Sequence, residues 1–193
     1  DVIGWTMQLE GQWFYVATFP NQDVTWVYPV GGEWFQWGTG NGRIRANSYA
    51  NIFDKHLVAD YASGNIYELD ADTYTDVGDT IVRTRDTAPM HGGQFQADGK
   101  EFELTELTFF LETGVGLLSG QGSNPMMAIS FSKDGGKTFG TERLVKVGRL
   151  GDGRKVVRLK NCGRFYECVI RIRVSDPIYW AIYGGVAEVE ICI

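Results

Sequence analysis

The stretch from Phe165 to Val174 alternates so regularly that it decides the class of fold. Tyr166, Cys168, Ile170, Ile172 and Val174 share one parity, while Glu167, Val169, Arg171 and Arg173 share the other. Successive side chains of a strand point to opposite faces, so this is a strand with one buried face and one mostly charged face. The C-terminal run repeats the pattern, with Ala187, Val189, Ile191 and Ile193 inward and Glu188 and Glu190 outward. If these two strands pair, Arg171 and Arg173 face Glu188 and Glu190, each exposed pair contributing roughly 0.2–1 kcal/mol. Phe102 to Leu111 changes phase: Phe102 and Leu104 lie on one parity, Leu107, Phe109 and Leu111 on the other. A slip of one residue at Thr105-Glu106 predicts a β-bulge. Met127, Ile129 and Phe131 mark another half-buried strand, and Val157 and Leu159 sit between outward Arg158 and Lys160. No window keeps apolar residues at helical spacing over three turns. The expected fold is all-β.

The chain divides by texture. Its 193 residues allow one domain or two small ones. The first 80 hold 15 of the 26 aromatic residues. There, Trp13–Phe19, a turn at Pro20-Asn21-Gln22-Asp23, Thr25–Tyr28, a Gly31-Gly32 turn and Glu33–Trp37 form a strand–turn meander. About 42 residues on, His56–Asp60, a Ser63-Gly64-Asn65 turn and Ile66–Leu69 repeat it. That period is the spacing of a four-stranded propeller blade, so residues 1–85 are expected to be partial β-propeller-type blades, the end of a longer propeller. Thr84 to Gly93 has the loop composition of a boundary, and residues 86–193 are expected to form an antiparallel β-sandwich-like domain. A chain that opens on Asp1 and runs directly into strand text reads as a fragment or a processed product. Its longest apolar runs are far too short to span a membrane, and no membrane insertion is expected.

Charge divides along the same line. Residues 1–80 carry 3 basic and 11 acidic side chains, a net of −8, while residues 81–193 carry 15 and 13, a net of +2. The overall −6 speaks against a general nucleic-acid binder. Ten of the basic residues crowd into one stretch: Arg143, Lys146, Arg149, Arg154, Lys155, Arg158, Lys160, Arg164, Arg171 and Arg173. A solvated sheet face with cross-strand Glu partners, a docking face for an acidic neighbouring subunit, and a phosphate-binding face all use such residues. They are taken as a candidate subunit-docking face.

No catalytic constellation emerges. Ser132, Asp134, Gly136, Thr138 and Phe139 fit the Asp-box pattern, in which the Asp accepts backbone N–H bonds within its own turn. Gly135-Gly136 supplies positive φ there, and Phe139 is expected to anchor the hairpin to the core. The motif occurs in sialidases, but a sialidase-like site also needs an arginine cluster and a Tyr–Glu nucleophile pair. Arg43 and Arg45 stand in a Gly-Arg-Ile-Arg segment without the Phe-Arg-Ile-Pro signature of that family. A glycan-binding or sialidase-like propeller fragment is the alternative reading. Asp70-Ala71-Asp72-Thr73-Tyr74-Thr75-Asp76 resembles half a calcium loop but lacks the sixth-position Gly and the bidentate Glu of an EF-hand, leaving an exposed acidic turn or an opportunistic Ca²⁺ site. His56 and His91 belong to no nucleophile motif. Cys162, Cys168 and Cys192 have neither zinc spacing nor an even count, so small buried residues are expected, with a single bridge left open. No catalytic residue, metal or cofactor is assigned.

Taken together, the segments from Trp13 to Ile193 resemble the packaged-DNA stabilisation proteins of short-tailed bacteriophages, also called tail accessory or hub proteins. The resemblance rests on Phe19-Pro20 with Thr25–Tyr28, on Leu57–Asp60 with Ser63–Asp70, on Asp76-Val77-Gly78 and Ile81-Val82-Arg83, and on Ser132–Thr138, Gly148–Gly153 and Phe165–Pro177. It implies the C-terminal part of a non-enzymatic virion protein, made in the bacterial host cytoplasm and built into the tail. It further implies a homo-oligomeric ring, typically sixfold, below the portal, which helps retain packaged DNA. Portal or adaptor, tail needle and tailspike proteins are the implied partners.

Overall fold

The computed structural model describes residues 1–153 and 156–192. The protein is all-β, and among the described residues its helical content is two 3₁₀ turns at Pro20–Gln22 and Gly92–Phe95. It divides into two compact units, Asp1–Ile81 and Val82–Ile193.

The first unit begins as an up-and-down meander. Strands β1 (Ile3–Leu9), β2 (Gln12–Phe19), β3 (Val24–Pro29), β4 (Phe35–Thr39) and β5 (Gly42–Arg43) follow one another in the sheet as they do in the chain. A second meander comprises β6 (Ala46–Ile52), β7 (Lys55–Asp60) and β8 (Ile66–Glu68), and a short ribbon pairs β9 (Thr75–Asp76) with β10 (Asp79–Thr80). Alternation gives the first sheet a buried face with Met7, Val16 and Val27. The buried Thr18 and Thr25 hydroxyls satisfy each other at 2.9 Å, and Thr25 also accepts the Ile44 N–H. Ile44, Ala46 and Val58 form a small core against Trp5, Trp37, Tyr49 and Tyr67, with Trp5 stacked on Tyr49 at 5.3 Å. The other face of the first sheet is different in kind. Trp13, Tyr15 and Trp26 stand exposed on it, and Trp34 packs its ring against Tyr15 and Tyr28.

The second unit is a two-sheet sandwich. One sheet contains β11 (Arg83–Asp86), β12 (Met90–His91), β14 (Met126–Ser132), β15 (Arg143–Lys146) and β17 (Glu167–Val174). Its order is β11-β17-β14-β15, with β12 also on β17. The other sheet places β13 (Phe102–Leu111) between β16 (Val157–Phe165) and β18 (Ile182–Ile191). The inner faces meet in one core: Phe102, Leu104, Leu107, Phe109, Val157, Leu159 and Phe165 from one side, Met127, Ile129, Cys168, Ile170, Ile172 and Val174 from the other. Each such fully buried side chain contributes roughly 1.5–3 kcal/mol. The phase slip of β13 is a real irregularity. Its register with both neighbours shifts between Leu104 and Glu106, which returns Leu107, Phe109 and Leu111 to the core.

Four expectations change. Strand β17 pairs with β11, β12 and β14, and β18 pairs with β13, so Arg171 and Arg173 do not face Glu188 and Glu190. Thr84 to Asp86 is strand rather than linker, held in register on β17. Tyr166 lies just before β17 and is 67% exposed, because the chain turns there between β16 and β17. Ala187 is exposed although Val189 and Ile191 of the same parity reach the core, because β18 is a sheet edge. Ile193 lies outside the described residues.

Candidate functional site

The Asp-box turn follows β14, and its chemistry is internal. Ser132, buried at the strand end, donates to Asp134 Oδ1 at 2.6 Å and accepts the Gly136 N–H at 2.9 Å. Asp134 also accepts the Thr138 N–H at 2.9 Å and the Thr138 hydroxyl at 2.6 Å. The Ser132 and Thr138 donors hold its carboxyl far below the usual carboxylate range, outweighing the opposing effect of burial. Gly135 and Gly136, at φ +72° and +89°, close the turn where an L side chain would be strained. Every polar group of the motif is spent on the turn, the arrangement of a structural brace. Phe139 does not enter the core: it is half-buried, with the Arg171 guanidinium 3.7 Å above its ring.

Arg171 and Arg173 extend over the outer face of their sheet. Their cross-strand neighbours on β14 are Ser130 and Ala128, both small and both buried. Arg171 makes a two-pronged bond to Asp86, at 2.8 and 2.7 Å, while Arg173 reaches Glu142 at 2.6 Å. On the outer face of the other sheet, cations occupy β16 and acids occupy β13. Arg164 bonds Glu103 at 2.9 Å, and Arg158 and Lys160 lie 3.4 and 3.3 Å from Glu106. Burial pushes the Glu106 carboxyl up, but bonding to Lys160 and Thr108 with the charges of Lys160 and Arg158 brings it below its ordinary value. Arg143 is spent differently, donating to the backbone carbonyls of Asn161 and Lys160 at 2.8 and 2.7 Å. Arg149 contacts Asn124, and Lys146 is exposed. Arg154 and Lys155 lie outside the described residues. The basic stretch is thus divided between two outer faces, with five of its residues in ion pairs among the described residues.

Sequence reasoning missed the tightest ionic site. Arg45 forks onto Asp60, whose side chain is fully covered, and Asp60 also accepts Ala62 N–H at 2.8 Å and Ser63 Oγ at 2.5 Å. Bonding from Arg45, against the cost of burial and with help from Ser63, lowers its carboxyl to about 2. Their residue types were in view, but 15 residues separate them and only the β6–β7 pairing joins their ends. A polar cleft of about 410 Å³ lies beside them, lined by Asp23, Thr39, Arg43, Arg45 and Tyr61. Arg43 stacks on Tyr61 at 3.7 Å. With one arginine stacked and the other locked to a carboxylate, the cleft lacks the converging triad that a sialidase-like site needs.

The remaining candidates are structural. His56 shares a 2.7 Å bond with the Tyr49 hydroxyl. Asp70 caps its own turn, accepting from Thr73 Oγ1 at 2.6 Å, and is lowered mainly by that bond. Among the described residues, no group of three or more His, Cys, Asp or Glu is arranged to hold a metal ion. All three cysteines are free thiols, and burial pushes Cys168 up to about 12 and raises Cys162. Among the described residues, no helix is long and apolar enough to cross a membrane.

Residues 90–190, nearly the whole sandwich, match the family described as bacteriophage P22 Gp10, β-sandwich. The chain belongs to the P22 Gp10 family. The match covers the inner-face strands, the Asp-box turn and the Arg164–Glu103 and Glu106 ion pairs, though not Asp86, and makes the chain a structural protein of the phage tail and hence a virion component. Among curated proteins, none matches the chain.

Proposed function

We propose that this Gp10-family chain is a hub of the short phage tail, helping to close the portal vertex, retain packaged DNA and dock the tail needle and tailspikes. The observation that carries the reading is the family match over the sandwich. The use of polar residues agrees with it: the Asp-box turn, the Arg45–Asp60 fork and the Glu106 cluster all brace the fold, and none is arranged around a substrate. In this reading the chain forms a homo-oligomeric ring, with the sixfold order that the resemblance implies. Arg158, Lys160, Arg164, Arg171 and Arg173 dock acidic surface of a neighbour, using the solvent-facing side of guanidinium and ammonium groups already oriented by their own carboxylates. Exposed ion pairs contribute little to folding, so such groups remain open to exchange partners on assembly. The meanders of the first unit serve as propeller-type blades. The exposed Trp13, Tyr15, Trp26 and Trp34 face has the aromatic make-up that a neighbouring sheet covers in a stack of blades.

Co-sedimentation of the whole chain with tail components tests the proposal. Entry into a tail-sized complex is expected; a strictly monomeric protein that never joins tails would sink it. The same aromatic face gives the glycan-binding alternative its one favourable observation, since exposed Trp and Tyr rings suit sugar stacking. A glycan array and a sialidase assay without signal remove that alternative.

A further inference from the structure

The two long flanks of the sandwich are built differently. Along the β15/β16 flank, the Arg143 guanidinium caps the edge carbonyls of Asn161 and Lys160. Along the opposite flank, β18 is a ten-residue edge strand that, among the described residues, bonds only to β13. β18 contains no Pro and no Lys, its charged guards are the acids Glu188 and Glu190 near one end, and Tyr183 to Glu188 are all exposed.

Beneath that edge the core is unfilled. Facing Leu107 and Phe109, β18 offers only the Ala187 methyl and Gly185, which has no side chain, so nothing there reaches the other sheet. The result is a largely apolar cleft of about 420 Å³, floored by Leu107, Phe109, Ile170, Ile172 and Ile182. Arg85, the cross-strand neighbour of Ile172, stands at its lip without a partner among the described residues.

Charge then selects what fits. On the outer face, Glu190 lies directly opposite Glu103, and Glu188 directly opposite Glu106. Like charges so placed are unfavourable. The β13 acids are neutralised from β16, but Glu188 and Glu190 have no cation among the described residues. The next strand position beyond β18 therefore calls for cations outward and apolar side chains inward, the pattern that Arg158 and Lys160 with Val157 and Leu159 present to β13 from its other side. A second β18 would bring more Glu to the same place and is disfavoured.

We propose that the free edge of β18 accepts an extended, alternately basic and apolar strand from another polypeptide, extending the β16-β13-β18 sheet and filling the cleft. Main-chain bonds hold the strand, Glu188 and Glu190 select its cations, and the cleft takes its apolar side chains. Arg85 favours a carboxylate where the strand passes the lip. The inference stands apart from the ring proposed above, since it concerns a different edge and a different partner chemistry.

The test uses the whole chain and short synthetic peptides: one alternating Lys and Val, its Glu–Val counterpart, and a scrambled-order control. Amide hydrogen exchange reads protection along residues 183–189. The Lys–Val peptide is expected to slow exchange there about tenfold, while the Glu–Val and scrambled peptides leave it unchanged. Glu188→Lys with Glu190→Lys, both at exposed positions, should weaken Lys–Val binding about tenfold and improve Glu–Val binding. Protection elsewhere only, equal protection by all three peptides, or indifference to the double substitution would overturn the proposal. So would protection of the same amides that grows with protein concentration alone, which would make a second copy the occupant.

Discussion

The two units place their large side chains in opposite ways. In Asp1–Ile81 the buried core is small, with Ile44, Ala46 and Val58 at its centre, while Trp13, Trp26 and Trp34 lie at the surface. In Val82–Ile193 two inner faces share a continuous core, and the outer faces carry cross-strand ion pairs. The second unit buries most of its hydrophobic pattern between its own sheets, with the cleft beside β18 left open. The first leaves the rings of Trp13, Tyr15 and Trp26 exposed on one face of its sheet. One unit hides most of its large apolar side chains between two sheets, and the other carries several of its tryptophans on an exposed face.

Equivalent truncations should therefore have unequal costs. Phe102→Ala, at a fully buried position, should destabilise the second unit by about 3–5 kcal/mol in chemical denaturation. Acid should act on the first unit through Asp60. Because Asp60 is held at about 2, its stabilising contribution is complete above the ordinary carboxylate range and is lost as pH falls from about 4 toward 2. Asp60→Asn should remove that step from the tryptophan fluorescence, five of the six Trp lying in residues 1–81. An unchanged acid profile in the variant would separate Asp60 from the step. Phe139→Ala should cost only about 0.5–1 kcal/mol, because it removes a half-buried guanidinium–ring contact and not a core anchor. Trp13→Ser should change stability by less than about 0.5 kcal/mol, and a larger loss would make that face part of the folding core. Thiol labelling at pH 8 should reach half-exposed Cys192 well before buried Cys162 and Cys168, whose thiols burial keeps protonated.

Much of the second unit was legible along the chain because alternation is a local property. The parity of Cys168, Ile170, Ile172 and Val174 identified the inner face of β17, and the change of parity after Leu104 located the bulge of β13. The Asp-box turn was equally legible, since its donors and acceptors lie within seven residues of sequence, Ser132 to Thr138. Parity does not name neighbours, however. Arg171 meets Asp86 across 85 residues, and Arg173 meets Glu142 across 31, because β17 sits between β11 and β14. The cap of Arg143 on β16 and the cleft beneath β18 were invisible for the same reason. Each depends on which strand lies opposite which, and in the cleft on two small residues facing Leu107 and Phe109.

The central claim is that the chain is a built-in part of the phage tail, held there through charged outer faces. Quantitative mass spectrometry of purified virions tests it most directly, comparing the natural chain with one carrying Arg158→Glu, Lys160→Glu and Arg164→Glu. The natural chain should be present at a fixed number of copies per virion, and the charge-reversed chain, still folded by circular dichroism, should be depleted. Equal incorporation of both would contradict the charged docking face, and absence of the natural chain from virions would contradict the claim as a whole.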